Sequence, residues 1–232
     1  MIPIRDEIKA RRVPYVNYIL IAINVGVFIF EFMSGPRLEA LISEFALVPA
    51  QLTAGLDLGD MRSVLTSMFL HASWMHLLGN MLYLWIFGDN VEDRLGHFWY
   101  LLFYLAGGFV AALAHWAINP ASSIPTVGAS GAIAAVLGAY LLMYPRARVY
   151  TFIPIGFFVR LRLLPASVVL LLWFILQLFS GVLTIGAGDV GGTAFWAHIG
   201  GFVFGVLVGW LAKGRSAGSP ARQWTDSRGF QG

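Results

Sequence analysis

A polar side chain at membrane depth costs free energy unless it is paired, so in an apolar chain such residues are the first place to look for chemistry. Here they are His76, Asn80, His115, Ser130, Gln177 and His198. Ser130 lies in Gly128-Ala129-Ser130-Gly131, after the connection from Asn119-Pro120 to Pro125-Thr126. Its hydroxyl becomes a nucleophile if a base stands within about 2.6–3.2 Å. An imidazole is the usual base, and His198, in Ala197-His198-Ile199-Gly200-Gly201, can supply one. The first N–H groups of a helix opening at Ser130 lack intrahelical partners and carry the positive end of the dipole. Those donors, with Gly128 and Gly131 as candidate oxyanion-site residues beside Ser130, can hold the oxyanion formed when Ser130 attacks a carbonyl. His76 and Asn80 are four apart, share one helical face and can add donors to that site. As a metal site they are poor, because asparagine is a weak ligand and catalytic zinc takes three good ones. The serine has a second reading, a hydrogen bond to its own backbone or to a neighbouring helix. Gln177 reads as an interhelical hydrogen bond, and His115 as an interfacial residue.

These residues are positioned by apolar elements. The chain has 232 residues, 58% hydrophobic and 12% charged, against about 45–50% apolar and about 25% charged in soluble domains. It is a membrane protein by composition. The net charge of +3 is too small and dispersed for a nucleic-acid partner. With no cysteine, thiolate chemistry and cysteine-bound zinc are excluded. No Asp or Glu lies well within an apolar stretch: Glu31 and Asp89 are at ends and Asp189 is in a loop. That argues against a paired-carboxylate protease or a carboxylate-gated transporter.

Apolar stretches near residues 15–33, 74–88, 98–117, 127–144, 166–185 and 195–212 are each read as a crossing helix. The expected class is an all-α membrane protein. A cytosolic tail is expected over 1–14, the six-helix domain over 15–212, and a disordered cytosolic tail over 213–232. Arg5, Lys9, Arg11 and Arg12 precede an apolar run without a small-residue cleavage site, so the first span reads as retained and not as a cleaved signal. Arg5, Lys9, Arg11, Arg12, Arg94, Arg146, Arg148, Arg160, Arg162, Lys213, Arg215, Arg222 and Arg228 fall on one side, leaving Arg37 and Arg62 on the other. The positive-inside rule then puts both termini in the cytoplasm. With that parity His76, Asn80, Ser130 and His198 all sit in first turns just beneath the outer face. Ala197, Gly201, Gly205 and Gly209 form a small-residue stripe, matched by Gly131, Ala135 and Gly138, so the fourth and sixth helices can pack backbone to backbone with Ser130 beside His198. The glycines have packing as their plain reading. The outer loop, 34–73, is long, and Leu38, Leu41, Ile42 and Phe45 share one helical face within it, as in an interfacial helix or an ordinary packed one.

The residues resemble the rhomboid family of intramembrane serine proteases. The resemblance runs through Phe69-Leu70-His71, His76-Leu77-Leu78-Gly79-Asn80-Met81, Gly88-Asp89-Asn90-Val91-Glu92-Asp93-Arg94-Leu95-Gly96, Gly128-Ala129-Ser130-Gly131-Ala132 and Ala197-His198-Ile199-Gly200-Gly201 with Gly205. It implies a six-helix bundle in which Ser130 is nucleophile and His198 base, without an acid. His76, Asn80 and the N–H groups around Ser130 would form the oxyanion site, and the outer loop would lie partly in the membrane. It further implies a structural role for Glu92 and Arg94, transmembrane protein substrates, lipid as the surrounding partner, and no cofactor or metal. Two positions depart from the family: Ala134 stands where many members have a tyrosine supporting the histidine, and Met61 precedes Arg62 where many have tryptophan. The rival readings are a non-proteolytic rhomboid-like protein that binds transmembrane segments in quality control, and a transporter or channel. The short tails and absent targeting peptide suggest a prokaryotic plasma membrane.

Overall fold

The fold carries large apolar residues on its outside as well as in its core, with a few polar groups buried among them. Asn17, Asn24, Glu31, Asn80, Glu92 and His198 are buried, while Phe30, Phe32, Trp85, Phe179 and Trp210 face outward. A protein in water would not expose so many large apolar side chains; in lipid they are solvated, and polar groups have to be satisfied internally. The computed structural model describes residues 1–55, 58–155, 158–185 and 193–213. Asp189, Arg215, Arg222, Arg228 and the tail from residue 214 onward lie outside the described residues.

The elements are β1 (Ile2–Asp6), α1 (Tyr15–Met33), α2 (Leu38–Phe45), α3 (Pro49–Ala54), α4 (Leu58–Thr66), α5 (Trp74–Leu95), α6 (His97–Ile118), α7 (Ser130–Met143), β2 (Arg148–Ile155), β3 (Phe158–Pro165), α8 (Ala166–Leu183) and α9 (Phe195–Lys213). Among the described residues four helices, α1, α6, α8 and α9, are long and apolar enough to cross a membrane. The helix α5 overlies the second apolar stretch but runs on to Leu95, because Asn90, Val91 and Glu92 are buried there. It stops at Gly96, whose φ of 81° suits only glycine. At 14 residues α7 is about 21 Å long, short of the hydrocarbon thickness of about 30 Å. Its residues from Gly131 to Tyr140 are all buried, so it is the central helix and protein, not lipid, surrounds it.

The expectation of an all-α chain is corrected by a three-stranded antiparallel sheet in the order β1-β2-β3. The cause is legible afterwards. Val149, Tyr150, Thr151, Phe152 and Ile153 are β-formers, and Val159-Arg160-Leu161-Arg162-Leu163 alternates with period two. The segment is too short for a crossing and falls between the fourth and fifth apolar stretches. Val149 and Thr151 are buried and tie the sheet to the bundle, and Asp6 accepts from Tyr140 and Asn90.

Glu92 organises the same end. Its carboxylate accepts from the N–H groups of Val16 (3.0 Å) and Asn17 (2.7 Å), the otherwise orphaned donors at the start of α1. Asn17 then donates to the Leu84 carbonyl at 3.0 Å and accepts from the Tyr100 hydroxyl at 2.8 Å. One asparagine thereby joins α1, α5 and α6.

At the other end the outer loop is built rather than slack. Leu47 and Thr126 exchange backbone hydrogen bonds of 3.1 and 2.7 Å, and Ala50 N–H donates to the Ser122 carbonyl, fastening the loop to the connection before α7. No residue of α2 is buried; its apolar face (Leu38, Leu41, Ile42, Phe45) is left without a full cover of protein. Arg62 reaches the Glu44 carboxylate at 3.2 Å and lies 4.8 Å from the centre of the Phe45 ring.

Candidate active site

The residues singled out from the sequence meet in one place. Ser130 opens α7, and the first intrahelical hydrogen bond is from Ile133 N–H to the Ala129 carbonyl. The N–H groups of Ser130 and Gly131 therefore precede the helical ladder and have no carbonyl one turn back. His198 is in the first turn of α9. The Ser130 hydroxyl and His198 Nε2 are 2.7 Å apart, a hydrogen bond in which the hydroxyl donates when the proton of the ring is on Nδ1.

The small-residue stripe makes that contact possible. A Cβ on Gly201 would stand 2.1 Å from the Gly131 carbonyl oxygen, and one on Gly205 would stand 1.9 Å from that of Ala135. In the opposite direction, a Cβ on Gly138 would be 2.2 Å from the Phe202 oxygen. The α7 and α9 backbones touch, and no side chain separates their first turns.

A cavity of about 690 Å³ opens beside the pair, lined among others by His76, Asn80, His115, Ser130, Trp173 and His198. His76 is in the first turn of α5, capped by the Ser73 hydroxyl, which accepts from His76 N–H at 3.2 Å. Its ring lies on Gly128: a Cβ there would be 2.7 Å from His76 Cε1, and the φ of 131° excludes a side chain in any case. Gly128 N–H donates to the Ser67 carbonyl at 2.8 Å, so this residue shapes the site through its missing side chain and does not offer a free donor. Gly131 is similarly confined, 2.6 Å from the Ala111 methyl in the same sense, while its N–H stays at the open helix end.

Asn80 is held by a residue that the spacing argument left without a role. Its amide N–H donates to His71 Nε2 at 3.0 Å, and His71 Nδ1–H donates to the Phe69 carbonyl at 3.2 Å. This pairing requires a neutral His71. Burial, with His76 nearby, lowers its pKa to about 4. The backbone N–H of His71 is accepted by the Glu31 carboxylate at 3.2 Å. One Asn80 N–H is thus fixed and the other remains for the cavity it lines. His115 was expected to be merely interfacial, yet it lines the cavity and shares a 3.2 Å hydrogen bond with Thr126 Oγ1.

Gln177, expected to bond between helices, does so, and its partner is His198 Nδ1 at 2.7 Å. Trp173, one turn earlier on α8, has its ring centre 5.7 Å from the same imidazole. Sequence reasoning had no signal to name that partner, since α8 and α9 are joined through residues that carry no pattern.

Comparison with known proteins gives a matching result. The pattern of the Rhomboid domain fits residues 58–215. The mitochondrial Rhomboid protein 1 of Saccharomyces cerevisiae is 30% identical over 200 residues, covering 83% of this chain and 52% of that protein. Presenilin-associated rhomboid-like protein A, mitochondrial, of Danio rerio is 32% identical over 172 residues, 72% of this chain and 40% of that one. Rhomboid protease GluP of Bacillus subtilis is 34% identical over 129 residues, 55% of this chain and 24% of that one. The chain spans about half or less of the length of these relatives.

Proposed function

The chain belongs to the rhomboid family, and from that premise we propose that it is an intramembrane serine endopeptidase cutting transmembrane protein substrates near the outer membrane face. The observation that carries the proposal is the 2.7 Å contact between the Ser130 hydroxyl and His198 Nε2 at the mouth of a cavity. The Ser130 oxygen attacks the peptide carbonyl carbon as its proton passes to His198 Nε2. The resulting oxyanion takes hydrogen bonds from the N–H groups of Ser130 and Gly131, and from His76 and Asn80. His198 then protonates the departing amine, the C–N bond breaks, and water attacks the acyl-enzyme with His198 again as base. These steps use no metal and no cofactor.

The arrangement proposed in the membrane is six crossings, α1, α5, α6, α7, α8 and α9, with both termini cytoplasmic and the outer loop partly immersed. The one-sided distribution of Lys and Arg supports it. The short α7 fits a recessed Ser130, since a helix about 9 Å shorter than the hydrocarbon core leaves at least one end below its surface. A helical substrate shields its own carbonyls, so segments with small or helix-weakening residues near their outer ends are the proposed substrates. Lipid surrounds the outward apolar residues. The proposal extends to no particular cell membrane: mitochondrial proteins among the relatives remove the support for a prokaryotic plasma membrane.

A fluorophosphonate probe, which reacts with activated serines, labels the wild-type chain in this reading and does not label Ser130→Ala. Equal labelling of both means that Ser130 is not the activated serine, and no labelling of either sinks the enzyme reading and returns the chain to the non-proteolytic, segment-binding class. Asn80→Ala separates the oxyanion role from packing. It lowers kcat by about 10²–10³-fold, the effect of one lost oxyanion donor, with KM little changed. Steady-state cleavage of a model transmembrane substrate in vesicles measures both.

A further inference from the structure

A histidine base works only in one tautomer: Nε2 has to present its lone pair to the serine hydroxyl, which requires the proton on Nδ1. Ala134, at the position where many family members carry a tyrosine, has its methyl buried 3.4 Å from where a Gly201 Cβ would be. The close α7–α9 contact leaves no room for a ring on that side. Among the described residues the hydrogen-bond partner of His198 Nδ1 is the side-chain amide oxygen of Gln177, 2.7 Å away on α8. Trp173, four residues earlier on the same helix, covers the imidazole.

We propose that Gln177 is the positioning residue of this site: its amide oxygen accepts from His198 Nδ1–H, so that Nε2 faces the Ser130 hydroxyl as an acceptor. The inference rests on the serine protease reading and says how that reading works without an acid. An amide differs from the carboxylate of a Ser-His-Asp triad in two ways. It carries no charge, so it orients the ring while stabilising the imidazolium far less than a carboxylate would. It is also two-ended: turned about its terminal bond, the amide offers an N–H to Nδ1, which moves the ring proton to Nε2 and leaves Ser130 without a base. Gln177 makes no other hydrogen bond among the described residues, so the ring and the amide choose their orientation together.

The tautomer can be read without any activity. Ring ¹⁵N spectra of the wild-type chain, with the His198 signals assigned by their loss in His198→Gln, should show a protonated Nδ1 and a bare Nε2. The reverse pattern in the resting protein overturns the proposal. Kinetics provide the second arm. Gln177→Leu lowers kcat by about 10–100-fold, as loss of an orienting partner does, with KM unchanged because Gln177 does not touch the substrate. Gln177→Glu restores kcat at alkaline pH and moves the acid limb of the kcat profile up by about one to two pH units, since a carboxylate favours the imidazolium. Equal losses in both variants with unmoved pH profiles indicate a packing role and overturn the assignment, as does a loss confined to KM. Failure of the wild-type chain to label with fluorophosphonate is a different result, and it strikes the protease reading itself.

Discussion

Replacing His198 by alanine lowers kcat for peptide-bond cleavage by about 10⁴–10⁶-fold, as much as replacing Ser130, and the double variant loses no more than either single one. The equality follows from the contact itself. With Nε2 and the hydroxyl 2.7 Å apart, proton removal and nucleophilic attack are one event. A serine without its base is a neutral alcohol, and a base without its serine has nothing to activate. The residual rate is set by what both variants keep, namely the N–H groups at the start of α7 with His76 and Asn80, and it stays above that of water. The measurement is kcat for one transmembrane substrate in vesicles, for wild type, both single variants and the double. Losses that multiply in the double variant mean that the two residues act in separate steps, and an active Ser130→Ala means that the nucleophile lies elsewhere.

The sequence was informative wherever one element carries the whole signal. Apolar runs located the crossing helices, though the second stretch ends near residue 88 and α5 runs on to Leu95, and the four-residue spacing of Ala197, Gly201, Gly205 and Gly209 announced a helix that another backbone approaches. It was silent wherever the signal is divided between distant segments. The sheet joins Ile2–Asp6 to strands about 150 residues later, and a hydropathy reading tuned to crossing helices passes over eight-residue strands. The Gln177–His198 and His71–Asn80 bonds depend on ring orientation, which no spacing encodes. Gly128 is instructive in a different way. The motif places it at the oxyanion site, but a backbone bond to Ser67 has already taken its N–H, and that bond depends on how the outer loop folds over α7.

A single methyl group at Gly205 is expected to do what few conservative changes can, because its contact is with main chain. The added Cβ meets the Ala135 oxygen at 1.9 Å, the Ala135 carbonyl carbon at 2.6 Å and its Cα at 2.8 Å. A flexible side chain could turn away; a helical carbonyl already committed to its own ladder cannot, so α9 has to move as a body from α7. Relief of the overlap takes roughly 1 Å or more, which carries His198 out of reach of Ser130. A displacement of that size costs about 10²-fold in rate, and the lost packing costs about 3 kcal/mol or more. Gly205→Ala therefore lowers both the thermal unfolding midpoint and the rate of fluorophosphonate labelling. The matched control is Gly26→Ala on α1, where nothing lies within 4 Å of the new methyl. There the helix gains about 0.5–1 kcal/mol from the better helix former, and labelling is unchanged. If Gly205→Ala melts and labels like the wild type, the two helices do not meet backbone to backbone, and the contact between Ser130 and His198 loses its structural cause.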